Sequence, residues 1–385
     1  MTDLALAETS NSLFNVAFFV YLIAMIAYFF RLAFTRVSAD GVQTSTVAGR
    51  RVGHFGLAVL LGGFAVHLTS FVMRGVAAGR VPWGNMYEYG SGIALLSIAT
   101  ALVVVQRRYG HLVGFVIAGS LLMMTTSLLL FTDAGPLVPA LESYWLQIHV
   151  SAMMFSSSVF IVGFVATALY LVKDRAETKL ARTSSFTGST VGAARSATVT
   201  PRGEGDIEGR VADVDVDPEE VQVASATAQR DVLNPVLFPV VPFVGVLLFV
   251  LVVWRAPVPA MLAASVAALI GSSVWYAVPY LPPAAKLDNL AYRTTAFAFP
   301  LITFGIMCGA IWAEEAWGRY WGWDPKETGS FVTWVLYASY LHARSTYGWR
   351  GRRAAWVGVT AFTALLITYY AVNLFVVGLH SYAGV

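Results

Sequence analysis

The sequence contains very little cysteine and very little charge. Its one cysteine, Cys308, lies in an apolar stretch, so the chain has no disulfide framework, no CxxC redox pair and no CxxCH haem-attachment motif. The protein is therefore not itself a c-type cytochrome, and Cys308 is interpreted as a small packing residue. Charged residues make up 12% of the chain and hydrophobic residues 57%. This composition excludes a large soluble core and indicates a polytopic membrane protein.

Apolar stretches recur along the chain, and each is roughly long enough to cross a ~30 Å hydrocarbon core. They predict an all-α, polytopic membrane helical bundle of about ten transmembrane helices. The expected spans are 13–30, 54–73, 89–105, 111–131, 149–172, 236–254, 256–278, 294–313, 328–344 and 355–378.

The distribution of Lys and Arg predicts how the bundle is oriented. Segments 31–53, 106–110, 173–233, 279–293 and 343–353 hold 20 of the 25 basic residues. Because cytoplasmic loops carry the excess of basic residues, these segments are expected on the cytoplasmic side. Both chain ends then face the extracytoplasmic side. The net charge of +3 lies largely in these loops and indicates no nucleic-acid partner.

Residues 173–233 differ from the rest of the chain. They are rich in Ser, Thr, Gly, Ala and charge, and they contain 11 of the 22 acidic residues. Such a composition buries too little apolar surface to fold and predicts a disordered cytoplasmic linker. The linker is expected to separate an N-terminal membrane half, 1–172, from a C-terminal membrane half, 234–385.

Aromatic residues are concentrated after the eighth predicted span. Trp317, Trp321 and Trp323 fall within seven residues, and Asp324 and Glu327 follow them. Interfacial tryptophans commonly form a belt at headgroup level, which is the simplest interpretation of each one alone. Interspersed Gly and Pro argue against one uninterrupted helix and favour a shaped aromatic surface. A flat apolar macrocycle such as haem would stack on such a surface.

The order of these residues, continued as DPKET from Asp324, resembles the tryptophan-rich motif of the haem-handling membrane proteins of cytochrome c maturation. It is most similar to the CcsA (ResC) type of System II. The segment GRVPWGNMYEYG, residues 79–90, is similar to the same family at Pro82, Asn85 and Glu88. From the residue types alone, Asn85 is also a candidate cap of the third span. The resemblance covers most of the spans but not residues 173–233.

Two histidines are expected to flank the tryptophan-rich segment. His149 opens the fifth span and His380 follows the tenth, both on the predicted outer side. Neutral imidazoles are common axial ligands of haem iron, so the two predict a bis-His site. The resemblance likewise implies that the positions matching His149 and His380 are the external haem ligands. Either Arg80 or Arg319 is a candidate partner of the haem propionates.

His342 ends the ninth span, roughly 20 Å below the outer surface, and therefore cannot bind the same iron. A histidine beside a basic loop can simply snorkel toward headgroups, whereas the resemblance implies an intramembrane haem ligand at the position of His342. The resemblance implies that a partner polypeptide supplies the second intramembrane ligand. Within this chain, His54 lies at a suitable depth but adjoins Arg50 and Arg51 at the end of its span. His67 in the second span is expected too far from His342 to share its iron and is kept as a further candidate site residue.

The resemblance implies transport of haem b to the extracytoplasmic face of a bacterial plasma membrane. The haem is then presented for covalent attachment to the CxxCH motifs of apocytochromes c, together with a ResB/CcsB-type partner. The chain would be a component of a haem-attachment complex. The alternatives are a System I haem-handling protein, a non-haem transporter and a b-type electron-transfer protein. The last prefers histidine pairs inside the bundle at two depths.

Overall fold

Long helices dominate the computed structural model, which describes residues 3–37, 43–137, 139–186, 228–255 and 257–380. The helices are α1 (Leu4–Leu32), α2 (Val47–Ala78), α3 (Met86–Thr100), α4 (Gln106–Tyr109), α5 (Val113–Leu129), α6 (Tyr144–Phe186), α7 (Leu237–Trp254), α8 (Pro257–Ala277), α9 (Ala284–Trp317), α10 (Pro325–Ser345), α11 (Arg352–Leu366) and α12 (Asn373–Phe375). π-helical turns at Ala101–Val105 and Ile367–Val372 join α3 to α4 and α11 to α12. A ribbon pairs β1 (Thr35–Val37) with β2 (Gln43–Ser45).

The helices confirm an all-α, multi-pass membrane bundle. Each predicted span lies on helix over most of its length. Seven helical stretches among the described residues are long and apolar enough to cross a membrane, and one of them, Met86–Leu129, contains the third and fourth predicted spans. Helix α10 is outside that set because its sequence is less apolar, and the apolar part of α7, Leu237–Val252, is shorter.

The chain forms two compact units that do not follow the predicted halves. One comprises residues 1–34, 45–171 and 285–385, and the other comprises 35–44 and 172–284. The first unit thus joins helices from before and after the predicted linker. Aromatic stacking links them, since Phe160 of α6 lies 3.8 Å from Tyr337 of α10 between ring centroids, and Phe164 lies 4.3 Å from Phe362 of α11.

Part of the predicted linker is helical. Residues 173–186 continue α6, which corrects the expectation of disorder from residue 173 onward. In the second unit the Lys173 ammonium donates to Gln229 Oε1 at 2.6 Å and to the Val278 carbonyl at 2.9 Å. A satisfied, buried lysine stabilises this end of the helix, a tertiary effect that composition does not reveal. Residues 187–227 lie outside the described part of the chain.

A buried charge cluster in the first unit fixes the start of α3. Asn85 Oδ1 accepts from Glu88 N at 2.9 Å, which confirms the predicted cap. The Glu88 carboxylate accepts from Arg74 Nε at 2.9 Å, from Arg80 Nη1 at 2.7 Å and from Gly84 N at 2.8 Å. Arg80 is therefore already paired within the fold, with a carboxylate that it shares with Arg74.

Candidate functional site

An apolar cavity of about 220 Å³ lies in the first unit. Helices α3, α5, α6, α9, α10 and α11 contribute to its wall, together with residues that follow α9 and α12. The polar lining includes His149, Lys326, Glu327 and His380. The two histidines predicted to share a site are thus brought to one cavity. Much of the remaining wall is aliphatic or aromatic and includes Ile93, Met123, Ile161, Ile302, Ile306 and Phe362.

Helix α9 holds His149. Nδ1 of His149 lies 2.7 Å from the carbonyl oxygen of Gly305 in α9. Because a carbonyl only accepts hydrogen bonds, this Nδ1 carries the hydrogen. In a neutral ring Nε2 is then the nitrogen with the available lone pair. A Cβ at Gly309 would lie 2.6 Å from the same Nδ1, so a glycine is needed for this close approach. Gly305 and Gly309 share one helix face and together fix the position and tautomer of His149.

Asp324 holds His380. One carboxylate oxygen, Oδ2, lies 2.6 Å from His380 Nδ1, and the other, Oδ1, accepts from Leu379 N at 2.7 Å. Burial lowers the pKa of His380 and the charge of Lys326 lowers it further, against the opposing effect of Asp324. The ring is therefore neutral and donates its Nδ1 hydrogen to the carboxylate. A carboxylate behind an imidazole is the arrangement that orients metal-binding histidines.

The carboxylates of the tryptophan-rich segment organise the start of α10. Glu327 Oε2 accepts from Gly322 N at 2.8 Å and from Asp324 N at 3.1 Å, which is the returning half of a capping box. Burial raises the pKa of Asp324, but hydrogen bonds from Leu379 N and His380 outweigh it, so the net shift is downward and Asp324 is ionised. Glu327 Oε1 is buried without a hydrogen-bond partner among the described residues.

Trp312 contacts both histidines, a role that was not predicted from the sequence. Its ring stacks near His149, with centroids 6.3 Å apart and an interplanar angle of 18°, and meets His380 edge-on at 5.5 Å. Only 2% of Trp312 is exposed. The sequence did contain one indication of this role, because Trp312 lies in the last turns of a predicted span, just before the tryptophan-rich segment. The four-residue spacing of Gly305 and Gly309 within the same span is likewise a pattern that indicates close packing of another element.

The three predicted tryptophans occupy different environments. Trp317 lies edge-on to His380, with ring centroids 4.9 Å apart, and Trp321 lines the cavity. Trp323 is 64% exposed, has a positive φ of 58° and does not line the cavity. A single stacking surface formed by all three is therefore not what the structure contains.

His342 lies beyond the cavity along α10. It is nine residues after Thr333, the last residue of that helix that lines the cavity, about 14 Å along an ideal helix axis. It is exposed, and its Nδ1 lies 3.3 Å from Thr346 Oγ1. The structure thus separates His342 from His149 and His380.

The side chain of His67, on α2, is buried against α1 and α3 and does not line the cavity. It is fully buried, with Nε2 3.0 Å from Ser91 Oγ and with ring contacts to Phe14 and Tyr21 at centroid distances of 5.5 and 5.7 Å. Its Nδ1 has no partner among the described residues. The structure brings no other predicted site residue to His67.

Sequence comparison places this chain among proteins of cytochrome c assembly. The family described as Cytochrome C assembly protein matches residues 83–380, from the cavity residue Trp83 to His380. The chain is 32% identical over 387 residues to the Cytochrome c biogenesis protein CcsA of Rippkaea orientalis, and 33% identical over 387 residues to that of Synechococcus elongatus. Both comparisons cover 98% of this chain and 98% of the relative. The chain therefore belongs to the cytochrome c assembly protein family and is of the CcsA type.

Proposed function

We propose that this chain, whose family gives it a role in cytochrome c biogenesis, carries haem b to the extracytoplasmic face and presents it for attachment to apocytochrome c. The observation that carries the proposal is the pairing of His149 and His380 on one cavity. In each ring an oxygen acceptor holds the Nδ1 hydrogen. A metal-binding imidazole needs such an acceptor to fix its tautomer and orientation.

The surroundings of the two rings fit a haem group. An apolar wall matches the macrocycle, and Trp312 supplies an aromatic face beside both imidazoles. The cavity, about 220 Å³, is smaller than the roughly 300–1,000 Å³ of typical ligand pockets. Binding of haem therefore requires side chains of the cavity wall to move apart.

The anchors of the two histidines suggest different roles. When bound, haem supplies the vinyl groups to which the cysteine thiols of a CxxCH motif add. His149 belongs to a long helix and donates to the backbone of α9, whereas His380 follows the short helix α12 and donates to the side chain of Asp324. We infer that His149 stays in place, and that His380 gives way to the histidine of the arriving CxxCH motif. The protein contributes position and electrostatics to the attachment.

An exposed His342, distant from the cavity, supports a second haem position completed from outside this chain. A ResB/CcsB-type partner is the proposed source of the other ligand, since His67 is buried and already bonded to Ser91. The excess of basic residues in one set of loops supports a bacterial plasma membrane orientation with the His149 and His380 cavity near the outer face.

The test is to replace His149 and His380 by alanine, singly, in the full-length chain. We expect each variant to lose bis-His haem absorbance at the cavity and mature c-type cytochromes, while b-type cytochromes persist. Added imidazole should partly restore both by replacing the missing side chain. His54→Ala, an exposed histidine of α2, is the matched control. Unchanged spectra together with no imidazole rescue would refute the assignment.

A further inference from the structure

We propose that the Lys326 ammonium binds a carboxylate of the ligand in this cavity, which for haem is a propionate. The inference rests on the proposed haem function and names a recognition group for it. Among the residues that line the cavity, Lys326 is the only lysine or arginine. A ligand carboxylate brought next to an apolar wall needs a compensating cation, because an unpaired buried charge is costly.

The two arginines that the sequence offered for this role are placed elsewhere. Arg80 is paired with Glu88 at 2.7 Å and also donates to the Gly135 carbonyl at 2.9 Å. Arg319 is exposed, reaches the Gly322 carbonyl at 3.5 Å, and does not line the cavity. Neither arginine is among the residues that line the cavity.

Lys326 has capacity for a new partner. Within the described residues its ammonium makes no hydrogen bond and no ion pair within 4.0 Å. Burial lowers its pKa to about 8 and Asp324 opposes that shift, so the side chain is largely charged at neutral pH. Lys326 is also the second residue of α10, where backbone N–H groups add positive potential.

The neighbouring charges define where the carboxylate is accepted. Asp324 already accepts hydrogen bonds from Leu379 N and His380, and Glu327 Oε2 accepts two backbone hydrogens. Glu327 Oε1, which has no hydrogen-bond partner in the described part of the chain, repels an anion. Successive helix residues point about 100° apart, so the ligand carboxylate is expected on the Lys326 side, away from Glu327.

The experiment compares haem with haem dimethyl ester, in which both propionates are neutral. Full-length protein in detergent is titrated with each, and the bis-His absorbance reports binding. The parent should bind haem about 10- to 100-fold more tightly than the ester, the range for a charge-assisted hydrogen bond. Lys326→Met should bind haem as weakly as the ester, and Lys326→Arg should keep much of the preference. Arg319→Gln is the matched control and should keep all of it.

The possible failures are distinguishable. If the parent gives a bis-His spectrum with both ligands at equal affinity, the haem function stands and the role of Lys326 is wrong. The role is equally wrong if Lys326→Met keeps the preference for haem, or if Arg319→Gln loses it. If the parent shows no absorbance that depends on His149 and His380, the proposed haem function is wrong, and the inference about Lys326 is wrong as well.

Discussion

At the residue scale, the two imidazoles of the cavity are held by acceptors of different charge. His149 donates to a neutral backbone carbonyl and His380 to the carboxylate of Asp324. A carboxylate raises the basicity of the imidazole that donates to it more than a carbonyl does. The two rings that line one cavity are therefore anchored in different ways, one by the backbone of α9 and one by a charged side chain.

Asp324→Asn tests this anchor. Leu379 N and His380 donate to different carboxylate oxygens, and in asparagine one of these two positions becomes an NH2 group, which only donates. We expect a 10- to 100-fold loss of haem affinity, the usual effect of removing such a support. Thermal unfolding should change little, since Asn also caps helices. Titration followed by absorbance measures the loss, and the exposed Asp133→Asn serves as control. Parental affinity in Asp324→Asn would contradict the anchoring role.

Gly309→Ala tests the fit of His149 against α9. The new methyl group would lie 2.6 Å from the imidazole Nδ1 and force the ring away. Overpacking costs about 1–3 kcal/mol, which predicts haem binding weakened by about 5- to 150-fold. The matched control is Gly62→Ala in α2, where a Cβ meets nothing within 4 Å. Equal haem titrations for the two variants would show that the close approach is not required.

At the element scale, the sequence predicted where the helices lie and how deep a residue sits in the membrane. It predicted less well which face of each helix is buried. Apolar runs place His149 and His380 at the same end of the bundle, and the structure brings both to one cavity. Runs that are apolar on all sides do not reveal which face of α2 is buried, so the packing of His67 could not be predicted. The roles of Gly305 and Gly309 were also hidden, because they depend on a ring from a distant helix.

His67→Leu separates a packing role from a ligand role. Leucine retains apolar volume among α1, α2 and α3, and it removes the buried Nδ1, for which the described ranges contain no hydrogen-bond partner. We expect unchanged haem absorbance and a stability change within about 1.5 kcal/mol, the range for volume-conserving swaps. His342→Leu is the comparison and should reduce haem bound outside the cavity. Loss of haem from a stable His67→Leu variant would restore His67 as a candidate ligand.

Glu88→Gln tests the charge cluster at the start of α3. Neutralising Glu88 leaves Arg74 and Arg80 without their shared counter-charge in a buried setting. Removing one partner of a buried ion pair costs about 3–5 kcal/mol. We therefore expect a lower unfolding temperature and less inserted protein, measured by thermal scans and membrane immunoblots. The exposed Glu142→Gln is the control. A normal unfolding temperature in Glu88→Gln would mean that the cluster is not a stabilising element.

At the scale of the whole molecule, helices from both sides of residues 187–227 build the same cavity. His149 and Ile161 come from before that segment, and Lys326 and His380 come from after it. The composition of the chain suggested two membrane halves divided at the linker. Contacts such as the stacking of Phe160 on Tyr337 override that division, and such long-range pairings cannot be read from local sequence.

Replacing residues 187–227 by a flexible Gly/Ser linker should preserve haem binding and cytochrome maturation. A linker of about ten residues has a typical reach of roughly 16–19 Å. The chain before the segment stays hydrogen-bonded to the chain after it. The Lys173 ammonium donates to the Gln229 side chain, and the Lys179 ammonium donates to the Val232 carbonyl at 3.2 Å. Cytochrome staining measures maturation, and immunoblots control for membrane levels. Lost maturation at normal levels would identify the segment as a docking or regulatory element.

The contact between Asp324 and His380 also determines the order in which the site is completed during synthesis. The two residues are 56 positions apart, and helices α10 and α11 lie between them. At about 5–20 residues per second, the ribosome needs roughly 3–11 s to add that interval. During that time His149 and the start of α10 are already made, but the second imidazole does not yet exist. On the proposed function, bis-His capture of haem is therefore a late event, which a nascent chain cannot perform before His380 has been added.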